Sequence, residues 1–173
     1  MASTKNRKLA LYGLLTALAL ILSYVEGQIP AFFAVPGMKL GLTNIVVLLA
    51  LYCMGAKSAL AVNFVRIALV SILFGNGVSF WYSLAGGLLS GAVMIALKKC
   101  GRFSILAVSI CGGIAHNIGQ IAAAMVLLQT AALGWYLLLL WFTGLLSGAV
   151  IGVLGGVLCR RLEPALKQRR TFP

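Results

Sequence analysis

The sequence contains no aspartate, and its 173 residues include only two acids, Glu26 and Glu163. Aspartate-rich sites for Mg²⁺ and diphosphate, Walker B acids and paired catalytic carboxylates all need acids that this chain lacks. We therefore expect that the chain is not an enzyme and that it uses no cofactor. Any catalysis would belong to partner subunits.

Charged residues of both signs are scarce, at 9% of the sequence, whereas hydrophobic residues make up 62%. A soluble domain of this size needs more polar material than that to cover its surface. The composition therefore predicts that the hydrocarbon of a lipid bilayer is the main solvent of the chain. Because no polar stretch is long enough for a second domain, we expect residues 1–173 to form a single transmembrane domain.

Six apolar stretches follow one another, and most are close to the ~20 residues that cross a bilayer. They cover Leu9–Val25, Leu42–Met54, Ala59–Phe74, Val78–Leu97, Ser104–Leu128 and Ala132–Leu158. The second stretch is short, and we expect residues just before it, or tilting of its neighbours, to complete it. The pattern predicts an all-α integral membrane protein with a bundle of six transmembrane helices.

The positions of the basic residues predict the orientation of this bundle. With the N-terminus in the cytoplasm, Lys39 lies outside and Arg66 lies within the membrane, while the other twelve of the fourteen Lys and Arg residues lie inside. We therefore expect both termini to be cytoplasmic, in short basic tails at 1–8 and 159–173. Because the net charge of +12 follows from this rule, it does not indicate nucleic-acid binding.

Polar side chains within the membrane are costly and are therefore candidates for function. The candidates concentrate in the middle and outer half of the predicted bundle, and we expect them to bind substrate: Glu26, Lys39, Asn44, Asn63, Arg66, His116, Asn117 and Gln120. This distribution predicts a pocket that opens outward. Its excess of basic over acidic groups favours an anionic or zwitterionic small molecule. No cysteine or acid lies at ligand spacing from the histidine, so we expect no metal site.

Two of these candidates leave alternatives open. Arg66 lies nine residues past Lys57, roughly 13–14 Å along a helix at ~1.5 Å per residue, which is too deep to reach the surface easily. It either pairs with Glu26 or with carbonyl groups, or it binds an anionic ligand. His116 and Gln120 share a helix face at a spacing of four residues. The histidine is either a hydrogen-bonded packing residue or part of a ligand site.

Small residues recur at four-residue spacing, which lets transmembrane helices approach closely. The string GLLSGAV occurs twice, at 87–93 and at 144–150, and we interpret both copies as packing surfaces. On the first helix, Ala10, Gly13 and Ala17 form a similar face. This face either packs within the bundle or meets a partner protein in the membrane.

Two strings resemble a known family: PGMKLGLTN at 36–44 and HNIGQ at 116–120, accompanied by Glu26, Pro30 and Arg66. Over nearly its whole length the chain resembles heptaprenyl diphosphate synthase component I, also named the Gx transporter family. That family is similar in size and six-helix topology to the S-components of energy-coupling factor (ECF) transporters. Those proteins capture a vitamin or a related precursor from outside the cell.

The resemblance implies a substrate-binding subunit of an ATP-driven importer in the plasma membrane of a bacterium, working with a T-component and ATPase subunits. The cargo would be a small anionic vitamin-like molecule, or a quinone or isoprenoid precursor. The outer loop 26–41 would be a lid, although it is equally well read as a structural loop at the interface. Ala10, Gly13 and Ala17 would contact the T-component.

The family's name implies an alternative, in which the chain is a non-catalytic membrane accessory subunit beside a prenyl diphosphate synthase. Prenyl-diphosphate synthesis needs aspartate-rich motifs, so a chain without aspartate cannot be the catalytic subunit. A third hypothesis is a self-sufficient secondary transporter or channel. The scarcity of carboxylates within the membrane argues against proton coupling in such a transporter.

Overall fold

A computed structural model describes residues 4–28, 41–74 and 77–167, and this part of the chain is helical. The six helices are α1 (Thr4–Gln28), α2 (Asn44–Cys53), α3 (Ala56–Leu73), α4 (Gly77–Cys100), α5 (Ile105–Leu127) and α6 (Tyr136–Lys167), with a 3₁₀ turn at Ala131–Trp135 before α6. They correspond one to one to the six apolar stretches. The predicted all-helical class is confirmed, whereas the orientation of the termini stays a prediction.

Five of these helices, all except α2, are long and apolar enough to cross a membrane. The chain is therefore a multi-pass membrane protein. The helices α1 and α4 extend beyond their predicted spans at both ends, whereas α2 and α5 are slightly shorter than theirs. The helix α6 continues to Lys167, so the first residues of the predicted tail at 159–173 are helical.

The short helix α2 lies at the centre of the hydrophobic core. Its ten residues extend about 15 Å, roughly half of the hydrocarbon thickness. The core combines α2 with one or two residues from each other helix: Ala19, Val46, Val47, Leu48, Ala50, Leu51, Ala59, Val62, Met94, Val108 and Ile151. Because protein surrounds α2, its length does not have to match the bilayer.

The helix α5 packs between α4 and α6 through glycines at the contact. A Cβ atom at Gly113 would lie 2.5 Å from the carbonyl oxygen of Gly144 on α6. On the other side, a Cβ atom at Gly119 would lie 2.8 Å from the carbonyl oxygen of Ala85 on α4. Backbone therefore approaches backbone on both sides of α5, as small residues allow in membrane bundles. The interpretation of the GLLSGAV copies as packing surfaces agrees with this arrangement.

Candidate functional site

The site begins where α1 ends and the chain turns into α2. Glu26, in the last turn of α1, is buried, and its carboxylate accepts a hydrogen bond from the backbone N–H of Gly41. Gly41 has φ +78°, a left-handed conformation that favours glycine. Its carbonyl in turn accepts from the backbone N–H of Asn44 at 2.8 Å. These bonds bring residues 26 and 41, the two ends of the predicted outer loop, into contact.

Arg66 on α3 is buried and has protein partners in the membrane interior. Its Nη1 donates to Thr43 Oγ1 at 2.5 Å, and its Nη2 donates to Asn63 Oδ1 at 2.6 Å. The negative charge of Glu26 also stabilises the guanidinium. The structure thus supplies two side-chain acceptors for Arg66, while direct pairing with Glu26 and binding of an anionic ligand both stay predictions. Within the described residues, Nε has no hydrogen-bond partner.

Asn63 extends this set of contacts to α4. While its carbonyl oxygen accepts from Arg66, its Nδ2 donates to the backbone oxygen of Gly87 at 3.1 Å. We call the connected residues the Arg66 network: Glu26, Gly41, Thr43, Asn63, Arg66 and Gly87. The network joins α1, the turn before α2, α3 and α4.

On α5, Asn117 faces α6. Its Nδ2 donates to the backbone oxygen of Leu140 at 2.7 Å and to Thr143 Oγ1 at 3.3 Å. The residue is buried, so these bonds connect two helices where water cannot compete. Asn117 therefore ties α5 to α6, much as Asn63 ties α3 to α4.

His116 and Gln120, also buried, face α4, and the predicted shared face is present. A Cβ atom at Gly86 would lie 2.8 Å from Gln120 Cγ and 3.1 Å from His116 Cε1. The next residue, Gly87, meets Asn63 in the same way, since a Cβ atom there would lie 2.8 Å from Asn63 Nδ2. The His116–Gln120 face and the Arg66 network thus meet neighbouring residues of α4 and lie at the same level of that helix.

Most of the predicted site residues are therefore buried at helix contacts. Asn44 is half-buried at the first residue of α2, and Lys39 lies outside the described residues, as does most of the predicted lid.

Sequence reasoning missed Thr43 and Thr143, which pair with Arg66 and Asn117. Thr43 directly precedes the predicted site residue Asn44, and this position in the sequence could have marked it as a candidate. In the part of the chain that the structure describes, no three metal-ligating side chains lie together.

A second feature lies on the outside of the bundle, between α1 and α3. An apolar groove of about 450 Å³ is lined by Tyr12, Gly13, Thr16, Ala17, Leu20, Ala61, Val62 and Val65. Gly13 and Ala17 are exposed there, and no atom lies within 4 Å of a Cβ placed at Gly13. Ala10 is exposed on the same helix but does not line the groove. This small-residue face is thus open rather than packed within the bundle.

The family model for heptaprenyl diphosphate synthase component I matches residues 15–158 of the chain. The chain belongs to this family. The identification that rested on the two sequence strings is thereby confirmed, and the matched region contains every buried residue of the hydrophobic core from Ala19 to Ile151.

A solved structure described as "Structure and mechanism of the S component of a bacterial ECF transporter" shares the fold of this family member. The two chains are 23% identical, with a TM-score of 0.69, and the match covers 95% of this chain and 99% of the other. The chain therefore has the S-component fold. No curated protein matches the chain.

Proposed function

We propose that this protein is the substrate-binding membrane subunit of an ATP-driven importer of the ECF type, in the plasma membrane of a bacterium. The S-component fold over 95% of the chain supports this function. The sequence contains no Walker motif, so ATP hydrolysis would belong to separate subunits. In this proposal the chain itself catalyses no reaction.

The observation that carries the proposal is the open groove on α1 and α3. In a bilayer, small residues allow the backbone of a second helix to approach and pack closely. An apolar groove lined by Gly13 and Ala17 therefore suits a transmembrane helix of a T-component. Ala10, exposed on α1, would extend this contact by less than one turn.

The cargo would be a small polar molecule captured from outside. The candidate contacts are the predicted set Glu26, Lys39, Asn44, Asn63, Arg66, His116, Asn117 and Gln120. Because the charges of Glu26 and Arg66 compensate one another, the anionic character of the cargo rests mainly on Lys39 and stays a prediction. After capture, a partner would reorient the bundle to release the cargo inside.

Filling the groove tests this function. We expect Gly13→Leu with Ala17→Leu to abolish co-purification with a T-component and ATPase subunits, because the added side chains occupy the space of the partner helix. Ala92→Leu provides a matched control, since Ala92 is an exposed small residue on α4. Co-purification of the partners at wild-type levels with the filled groove would contradict the proposed interface.

The family name supports a second candidate, a non-catalytic accessory subunit of heptaprenyl diphosphate synthase. The same co-purification experiment separates the two functions. Recovery of a soluble prenyl diphosphate synthase, without a T-component or ATPases, would favour the accessory subunit. Transport by the purified protein alone in liposomes would instead support a self-sufficient transporter.

A further inference from the structure

Gln120 differs from the other buried amides of the site. Asn63 and Asn117 each donate to a backbone carbonyl of the neighbouring helix. The side chain of Gln120 is 7% exposed, yet among the described residues it makes no hydrogen bond. A buried amide without partners is less favourable than an apolar side chain of the same size. Packing alone therefore does not explain a glutamine here.

The aliphatic stem of Gln120 packs against α4. Gly86 leaves room for the stem of Gln120, since a Cβ atom there would lie 2.8 Å from its Cγ. One turn further along α4, Ser90 is 2% exposed, and its hydroxyl has no partner in the described part of the chain. A Cβ atom at Gly112 on α5 would lie 3.4 Å from that hydroxyl. The contact between α4 and α5 that includes Gln120 thus also contains a buried hydroxyl without a partner.

The donor and the acceptor of the Gln120 amide favour a neutral group as their partner. A carboxylate beside Gln120 would accept from Nε2 but would leave Oε1 without a donor. A group with a donor and an acceptor side by side satisfies both atoms of the amide, and it adds no buried charge.

We infer that Gln120 binds a neutral part of the cargo in which an N–H and a C=O lie side by side, as in a carboxamide, a lactam or a ureido ring. This inference rests on the proposed import function and names the chemical class that the site recognises. His116 lies one turn before Gln120 on the same face, and its Cε1 atom meets the same glycine of α4, Gly86. The Ser90 hydroxyl supplies a second donor or acceptor along the same contact.

Thermal unfolding of the detergent-purified protein with matched probes tests the inference. The pairs are nicotinamide with nicotinate, and uracil with 1,3-dimethyluracil, in which the N–H groups are blocked. We expect nicotinamide or uracil to raise the unfolding midpoint by at least about 5 °C at a hundredfold excess over its dissociation constant, and the matched partner to have no effect. Equal stabilisation by both members of each pair, or none by either amide probe, would overturn the inference.

Variants of Gln120 complete the test. Q120L removes the amide but keeps the size, so we expect an unliganded midpoint no lower than that of the wild type and loss of the probe-induced shift. Q120E should also lose the shift, because it removes the N–H donors. Q129L and Q129E are matched controls, since Gln129 is exposed and bonds only locally to Val126 among the described residues. A shift that persists in Q120L would overturn the inference.

The failure of this inference is distinguishable from failure of the import function. Co-purification with a T-component and ATPases does not depend on the amide of Gln120. If those partners are recovered while the amide probes fail, only the recognition chemistry is wrong. If neither result is obtained, both the inference and the proposed function fall.

Discussion

The carboxylate of Glu26 accepts a hydrogen bond from the backbone N–H of Gly41, so the end of α1 is joined to the turn that begins α2. The two residues are fifteen positions apart, and most of the predicted outer loop lies between them. A buried carboxylate also brings its charge close to Arg66. Glu26 thus holds the two ends of the predicted loop together, and its negative charge also stabilises the guanidinium of Arg66.

Replacing Gly41 by alanine tests the backbone side of this contact. At φ +78° the left-handed conformation is about 1–2 kcal/mol less favourable for alanine, whose Cβ atom would also lie 3.1 Å from Asn44 Nδ2. We therefore expect Gly41→Ala to lower the free energy of unfolding by at least that amount. Gly13→Ala is the control, because Gly13 is helical with open space around it and should tolerate alanine or gain stability. Equal effects of the two substitutions would refute this explanation.

The charge side of the contact is tested by a double-mutant cycle. Arg66→Met leaves Glu26 buried without its counter-charge, so we expect a loss of about 3–5 kcal/mol in unfolding free energy. Glu26→Gln keeps an oxygen that can accept from Gly41 but removes the charge. The double variant should be destabilised by less than the sum of the single effects, with a coupling of about 0.5–3 kcal/mol. Additive effects, measured by equilibrium unfolding in detergent, would show that the two charges do not interact.

The sequence predicts the six helices well, because runs of apolar residues report directly on passage through lipid or a protein core. Hydropathy does not separate these two environments, however. The central position of α2 among the other helices therefore could not be predicted, and its short length appeared as an incomplete span. The burial of α2 depends on contacts from residues far along the chain, such as Met94 and Ile151.

The candidate site was predictable in its residues but not in its pairings. The cost of polar groups in lipid marks Asn117 and Gln120, which are close neighbours on α5. Their roles differ because Asn117 meets the carbonyl of Leu140 on α6, whereas Gln120 meets Gly86, which has no side chain. Such differences depend on how the neighbouring helix is rotated, and no single-helix pattern contains that information.

The two GLLSGAV copies give a matched comparison of helix packing. Gly148 and Gly91 occupy the same position in the two strings. A Cβ atom at Gly148 would lie 2.7 Å from the Cα atom of Ile110, which is backbone and cannot move aside. At Gly91 the nearest atom is Cδ2 of the exposed Leu60, at 3.2 Å, and that side chain can rotate.

We therefore expect Gly148→Ala to lower the free energy of unfolding by about 1–3 kcal/mol, as overpacking does. Gly91→Ala should change it by much less, because only one flexible side chain has to move. Thermal unfolding of the two variants in the same detergent provides the measurement. If Gly91→Ala is the more damaging change, the contact between α5 and α6 is not the tighter one.

Lys98, near the end of α4, donates a hydrogen bond to a backbone carbonyl at the end of α2. The last carbonyls of a helix have no partner within it, and Leu51 O is one of these. Lys98 Nζ donates to that oxygen at 2.6 Å and lies 4.7 Å from the centre of the Tyr52 ring. We expect Lys98→Met to lower the free energy of unfolding by about 1–2 kcal/mol, since it removes a charged donor and a cation–π contact. The adjacent Lys99 is exposed and serves as the control, so Lys99→Met should change the free energy of unfolding little. Similar losses in both variants would mean that a general loss of positive charge, rather than loss of the bond to α2, causes the effect.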